Sequence, residues 1–183
     1  MGALGVVAVG IGTALLARAV VGEVRTVGSD SMAPALAAHE RIAVSSWGLQ
    51  RWDLPVGAVV LFDAADLWAD PGDPAGTVFV KRVVGVGGDR IGCCDPAGRL
   101  LRNGRPLDEP YLAGARSDQV TFDVVVPEGH YWLLGDNRGD SADARAHLGD
   151  PGGGLIPASR IIGTVEAVVW PVGSARRVEG SDG

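Results

Sequence analysis

The chain has 183 residues, 46% of them hydrophobic, which is enough for one domain of ordinary size with a real core. Its formal net charge of −6 and the scatter of its arginines exclude the clustered basic stripe of a phosphate-tracking surface, so nucleic acid is not an expected partner. Of 16 Lys+Arg residues only Lys81 is a lysine, so any side-chain amine chemistry must use it.

Residues Ala3 to Ala17 carry no charge, and with Arg18 as a snorkelling flank the apolar stretch runs to Gly22. About 20 residues at about 1.5 Å each cross a bilayer core of about 30 Å, so residues 1–22 are expected to form a transmembrane helix, a single N-terminal anchor. Two other readings compete: a cleaved signal peptide, because Ala17-Arg18-Ala19 has the small-x-small pattern of a cleavage site, and a truncated or misassigned start. No helical-period polar face breaks the run, which speaks against a buried soluble helix.

Beyond Gly22 come short apolar runs, some with period two: Arg41 to Ser45, Ala58 to Phe62, Val78 to Val84, Val120 to Val126, Tyr131 to Leu134 and Thr164 to Trp170. Separated by Gly, Pro and Asp clusters, they predict a mostly β domain. Turn signals at Asp95-Pro96-Ala97-Gly98 and Asn103-Gly104 place one or two hairpins within Ile91 to Tyr111. The expected layout is an anchor at 1–22, a β core at 23–90 and 119–178, an inserted β-hairpin region at 91–118, and a polar tail at 179–183. The loops Asp63 to Gly76 and Gly149 to Gly154 are expected at the surface, and the glycine triplet in the second lacks the context of a phosphate cradle.

The adjacent Cys93 and Cys94 do not form the spaced ligand pairs of a zinc site, and no metal or cofactor is expected. A vicinal disulfide and two small buried thiols both fit them, the thiols slightly better. His39, His130 and His147 sit in loop-like or polar contexts with no evident carboxylate partner, and there is no G-x-S-x-G elbow. They are expected to be surface or turn residues.

Lys81 stands in Val78-Phe79-Val80-Lys81-Arg82-Val83-Val84, a run expected to be a largely buried strand with Phe79, Lys81 and Val83 on one face. Desolvation disfavours an ammonium and lowers its pKa, which would make a neutral amine available as a general base toward a serine. An edge-strand lysine that snorkels to water fits the segment equally well. A serine that such a base could serve lies in Gly28-Ser29-Asp30-Ser31-Met32-Ala33-Pro34-Ala35-Leu36.

Four segments in order resemble the signature boxes of type I signal peptidases: Ser29 to Pro34, Val56 to Phe62, Phe79 to Asp89, and Gly135-Asp136-Asn137-Arg138-Gly139-Asp140-Ser141-Ala142-Asp143-Ala144-Arg145. The resemblance implies the complex β fold of that family, with Ser31 as acyl-forming nucleophile and Lys81 as its base. It implies that Ser29 joins the oxyanion hole, that Ser141 hydrogen-bonds and orients the lysine amine, that Asp143 and Arg145 form a supporting ion pair, and that Met32 lines a pocket for a small side chain. Signal peptides of secreted preproteins, cut after Ala-x-Ala sites, are the implied substrates. The implied location is the plasma membrane bilayer, crossed once, with the catalytic domain on the extracytoplasmic side.

Departures from the pattern are Ala35 and Ala144, where threonine and serine are usual, a longer connection through Ala146-His147-Leu148 and the glycine loop to Pro157, and Asp30 beside the nucleophile. Asp30 facing the site would hold Lys81 charged, so it is expected to point to solvent. Two alternatives remain: a self-cleaving repressor-like Ser-Lys peptidase, which would need a DNA-binding module that the apolar N-terminal segment does not supply, and a catalytically inactive membrane-bound binding homologue.

Overall fold

Short β-branched runs interrupted by Gly, Pro and Asp favour extended chain over helix at nearly every step. In the computed structural model, which describes residues 22–46, 53–68, 77–112 and 120–180, the regular structure is strand apart from two short 3-10 turns. The expected anchor, apart from Gly22, lies outside the described residues, and among the described residues no helix is long and apolar enough to cross a membrane.

Twelve strands follow in chain order: β1 (Glu23–Thr26), β2 (Arg41–Ser45), β3 (Val59–Asp63), β4 (Val78–Val86), β5 (Arg90–Cys93), β6 (Leu100–Arg102), β7 (Arg105–Pro106), β8 (Phe122–Val125), β9 (His130–Leu134), β10 (Ile156–Pro157), β11 (Ile161–Trp170) and β12 (Arg176–Arg177). The larger sheet runs β1-β2-β11-β3-β4-β9-β10, with β12 added on β11, and the smaller runs β7-β6-β5-β8. All its pairings are antiparallel. The turns at residues 95–98 and 103–104 connect β5 to β6 and β6 to β7, where the sequence placed hairpins. The smaller sheet is completed by β8, which lies C-terminal to residue 118.

Strand β3 shows how the core is divided. Its alternation sends Val60 and Phe62 into one apolar cluster, with Trp132, Leu133, Ile91 and Leu100, and sends Val59 and Leu61 into a second, with Met32, Leu36, Ile42 and Val168. The first cluster joins the two sheets. It depends on a close approach at Gly85, where a Cβ would stand 2.7 Å from Ile91 Cγ1 and 3.2 Å from Val126 Cγ2. The register shift in the β4–β9 ladder falls between Val83 and Gly85, at the same place.

The second cluster anchors the turn between β1 and β2. Met32 and Leu36 are fully buried in it, so the segment carrying Ser31 is held by apolar contacts beneath and needs no helix to fix it. Arg176 of β12 fastens the same turn from outside, donating to both Glu40 carboxylate oxygens at 2.8 and 2.9 Å and to the Ala35 carbonyl at 2.7 Å. The Arg176 guanidinium holds the Glu40 carboxyl below its usual range.

Cys93, at the end of β5, and the adjoining Cys94 form a vicinal disulfide, in place of the two free thiols preferred from the sequence. Cys93 enters the first apolar cluster and Cys94 packs against it, so the two sulfurs share one small site.

Leu36→Ala should lower stability by about 2 to 5 kcal/mol, because it empties a fully buried position that the rigid turn cannot refill. Urea unfolding of the two proteins measures this, and a loss below about 1 kcal/mol would show that the Ser31 turn is not held from below.

Candidate active site

Three pieces of chain converge on Ser31. Its own turn lies between β1 and β2, Lys81 comes from β4, and the loop after β9 contributes residues 135–145. The amine of Lys81 lies 2.8 Å from Ser31 Oγ. Ser29 donates its hydroxyl to the same oxygen at 3.2 Å. The β3–β4 register sets Lys81 opposite Val60, within the apolar body of the sheet, and leaves it 3% exposed.

Burial is the largest influence on that amine and lowers its pKa from 10.5 to about 8. Asp143 and Asp136 pull it back upward and Arg145 pushes it down. Each carboxylate is already engaged. Asp143, with no exposed surface, accepts from Arg145 Nε and Nη2 at 2.8 Å each and from the Gly135 N–H at 2.9 Å. Burial pushes its carboxyl up, but those bonds outweigh burial and hold it low. Asp136 accepts two bonds from Arg82, at 2.8 and 2.7 Å, although burial still raises its carboxyl.

Gly135 is the joint of the loop. A Cβ there would lie 2.2 Å from Ser141 Oγ and 2.5 Å from the Ser31 carbonyl oxygen, so only glycine lets the loop close on the Ser31 backbone. The Asn137 N–H then donates to that carbonyl at 3.0 Å, and Asn137 Nδ2 donates to the Asp30 carbonyl at 3.2 Å.

Of the residues singled out in the sequence, Ser29, Ser31 and Lys81 are joined by hydrogen bonds, Asp143 and Arg145 pair with each other and hold Gly135 beside them, and Met32 lies in the cleft wall while its bulk fills the core below. Ser141 differs from expectation. Its hydroxyl is buried without a well-aligned hydrogen-bond partner, adding only a weak influence that lowers Asp143, and it does not bond the lysine amine. The packing of Ser141 against Gly135 accounts for this, since the hydroxyl is turned toward the loop backbone.

Asp30 turns outward: its carboxylate accepts the Ala38 N–H at 2.8 Å and braces the turn. His147, read as lacking a carboxylate partner, stands 2.7 Å from Asp150 and stacks on Trp68 with ring centroids 5.1 Å apart. Sequence reasoning missed Arg82, Asp136 and Arg138 as parts of the site. Arginines inside apolar or glycine-rich segments, at positions expected to be buried, were the available signal.

Between the Ser31 turn and β4 runs a cleft of about 330 Å³, walled by residues 25–29, Ser31 and Met32 on one side and 78–81 on the other, with Leu61 at its floor. Each wall offers a free sheet edge among the described residues: β1 pairs only with β2, and β9 joins β4 only from Arg82 onward, leaving 78–81 paired with β3 alone.

A family model described as signal peptidase, peptidase S26, matches residues 2–170. A signal peptidase I of Bacillus licheniformis is 34% identical over 175 residues, covering 91% of this chain and 86% of that protein. A probable signal peptidase I of Mycobacterium leprae is 39% identical over 115 residues, which cover 51% of this chain and 39% of that longer protein. The match to a signal peptidase I of Mycobacterium tuberculosis likewise spans 36% of its length. A crystal structure of a signal peptidase I from Enterococcus faecalis aligns with a TM-score of 0.47 at 26% identity, over 61% of this chain and 96% of that one.

The lysine makes a signed prediction about stability. With a folded pKa near 8 and an unfolded one near 10.5, the unfolded chain binds more protons between those values, so stability rises with pH across that window. Lys81→Met should therefore be more stable than the parent at pH 7, by on the order of 3 kcal/mol, and the gap should close between pH 8 and 10.5. Urea midpoints measured across that range decide it, a constant gap being the contrary result.

Proposed function

The chain belongs to the signal peptidase family, peptidase S26, and from that membership we propose that it is a serine endopeptidase that removes signal peptides from secreted preproteins. The observation that carries the reading is the 2.8 Å contact between the Lys81 amine and Ser31 Oγ inside a desolvated site. With its pKa near 8, the amine has a neutral fraction at physiological pH that can accept the hydroxyl proton.

In the proposed reaction an extended substrate lies between the two free sheet edges, paired through its backbone, as β-strand addition allows. Apolar walls at Val27, Met32 and Leu61 leave room for alanine one and three residues before the cut. Ser31 Oγ attacks the scissile carbonyl carbon as Lys81 takes its proton. The resulting oxyanion is stabilised by the Ser31 N–H and the Ser29 hydroxyl, one such donor being worth about 2.7 to 4 kcal/mol in the transition state. The ammonium returns the proton to the leaving amine, which departs as the new N-terminus of the mature protein. Lys81 then activates a water that attacks the acyl-enzyme, and the signal peptide leaves with a free carboxylate.

Residues 1–22 would anchor the enzyme in the plasma membrane by one span, with the catalytic domain on the extracytoplasmic side, where translocated signal peptides emerge. Asp143 and Arg145 would hold the loop that supports the dyad. The engagement of Asp30 with the Ala38 N–H weighs against the inactive-homologue reading, because that carboxylate does not claim the lysine.

Ser31→Ala and Lys81→Ala should each reduce cleavage of a preprotein with an Ala-x-Ala site by at least about a thousandfold while the protein stays folded. The kcat/KM of the parent should climb through an acid limb with a midpoint near 8. Assays of the full chain in lipid vesicles measure both, and substantial cleavage by either variant would remove the dyad from the reaction.

A further inference from the structure

Leu107 to Leu112 follows the hairpins of the smaller sheet and crosses to the loop after β9. Two of its side chains meet that loop at buried ion pairs. The Glu109 carboxylate and the Arg138 guanidinium pair with their side chains 6% and 1% exposed. The same Arg138 donates from Nε to the Gly135 carbonyl at 2.9 Å. Gly135 is thus held at both ends, its carbonyl by Arg138 and its N–H by Asp143.

The Tyr111 ring covers the other ion pair. The Arg82 guanidinium carbon lies 3.9 Å from the ring centroid, while its nitrogens bind Asp136 and the carbonyls of Gly57 and Glu179. The Tyr111 hydroxyl donates to Glu109 at 2.9 Å, so the two side chains act as one unit. Burial pushes the Tyr111 phenol up, keeping it a neutral donor.

We propose that Glu109 and Tyr111 are positioning residues for the Ser31–Lys81 dyad: Glu109, through Arg138, fixes the Gly135 joint that seats Ser31, and Tyr111 seals the Arg82–Asp136 pair beside the lysine against water. Neither touches Ser31 or Lys81. Each acts through an arginine. The proposal deepens the peptidase reading and rests on it for the rate predictions alone.

The physical consequence follows from what surrounds the amine. Lys81 faces Asp143 and Asp136, which favour its charged form, and Arg145, which opposes it, and desolvation exceeds all three. Removing the ring above Arg82 admits water next to Asp136, which weakens the desolvation that lowers the lysine and so moves its midpoint upward. Removing Glu109 leaves Arg138 buried without this partner, so Gly135 and the Ser31 carbonyl it abuts lose their fixed position. Misplacement by about 1 Å can cost about a hundredfold in rate.

Because Lys81 is the chain's only lysine, uniform labelling with lysine carrying carbon-13 at Cε gives one side-chain signal that titrates with that amine. In the full chain in vesicles, Tyr111→Ala should move its midpoint upward from about 8 and lower kcat about tenfold with KM little changed. Tyr111→Phe, which keeps the ring over Arg82, should restore the parent midpoint. Glu109→Ala should lower kcat by about ten- to a hundredfold. Tyr111→Leu serves as a second variant that preserves apolar bulk should alanine unfold the domain, and circular dichroism verifies folding in each case. Folded Tyr111→Ala or Tyr111→Leu with an unmoved lysine midpoint, or folded Glu109→Ala with parental kcat, would overturn the respective role. If the parent cleaves no preprotein, the peptidase reading fails while the lysine titration still decides the Tyr111 coupling.

Discussion

An amine surrounded by carboxylates stays charged unless something claims those carboxylates first, and the structure around Lys81 is arranged about that constraint. Asp143 and Asp136 both lie close enough to favour the ammonium, and both are bound by arginines through two bonds each. The carboxylates are therefore spent on guanidinium groups that cannot release their protons near neutral pH. What remains for the lysine is desolvation, the largest influence on it. Buried ion pairs of this kind contribute little net stability over apolar packing, because desolvating both ions offsets their attraction. Their use here lies in fixing geometry and in setting the charge seen by one amine.

The same pairs hold Ser31. Asp143 binds Gly135, Gly135 abuts the Ser31 carbonyl, and Asn137 binds that carbonyl from the next turn of the loop. Ser31 is therefore located by its backbone, from above by the loop and from below by Met32 and Leu36 in the apolar core, while its side chain stays available to Lys81. The groups that fix the serine therefore do not consume its hydroxyl. The outward turn of Asp30 belongs to the same arrangement, since a carboxylate adjacent to Ser31 is tied to the Ala38 N–H and kept from the amine.

The strands that bury apolar side chains were legible in the sequence. The predicted runs at 41–45, 58–62, 78–84, 131–134 and 164–170 overlap β2, β3, β4, β9 and β11, whose alternation or continuous hydrophobicity is the direct trace of burial. Strands β1, β10 and β12 left no such trace. The first is exposed or half-exposed along Glu23–Thr26, and the other two contain two residues each, too few to show a period even though Ile156 of β10 is fully buried. Lys81 was visible for its isolation among apolar residues. Its distance from Ser31 was not, because 50 residues separate the two and only the β3–β4 register and the Ser31 turn bring them together. Arg82, Asp136, Arg138 and Glu109 were hidden for a different reason: a charged residue in a sequence reads as exposed until its partner is known, and these partners lie 29 to 54 residues apart.

The lone lysine and the many arginines suit this division of work. A guanidinium stays charged when buried and holds a carboxylate by two parallel bonds, which makes it a permanent structural cation. An ammonium loses its proton readily on burial, which makes it a base. Were Arg82 or Arg145 replaced by lysine, the site would gain a second titratable amine beside the first, each tending to raise the other's neutral fraction while leaving a carboxylate less firmly held. The carboxylate so released would favour the charged form of Lys81, and the loop that carries it would be less firmly tied. In this site arginine and lysine are therefore not interchangeable cations: the guanidinium groups keep their charge, while burial brings the single amine down to a pKa of about 8.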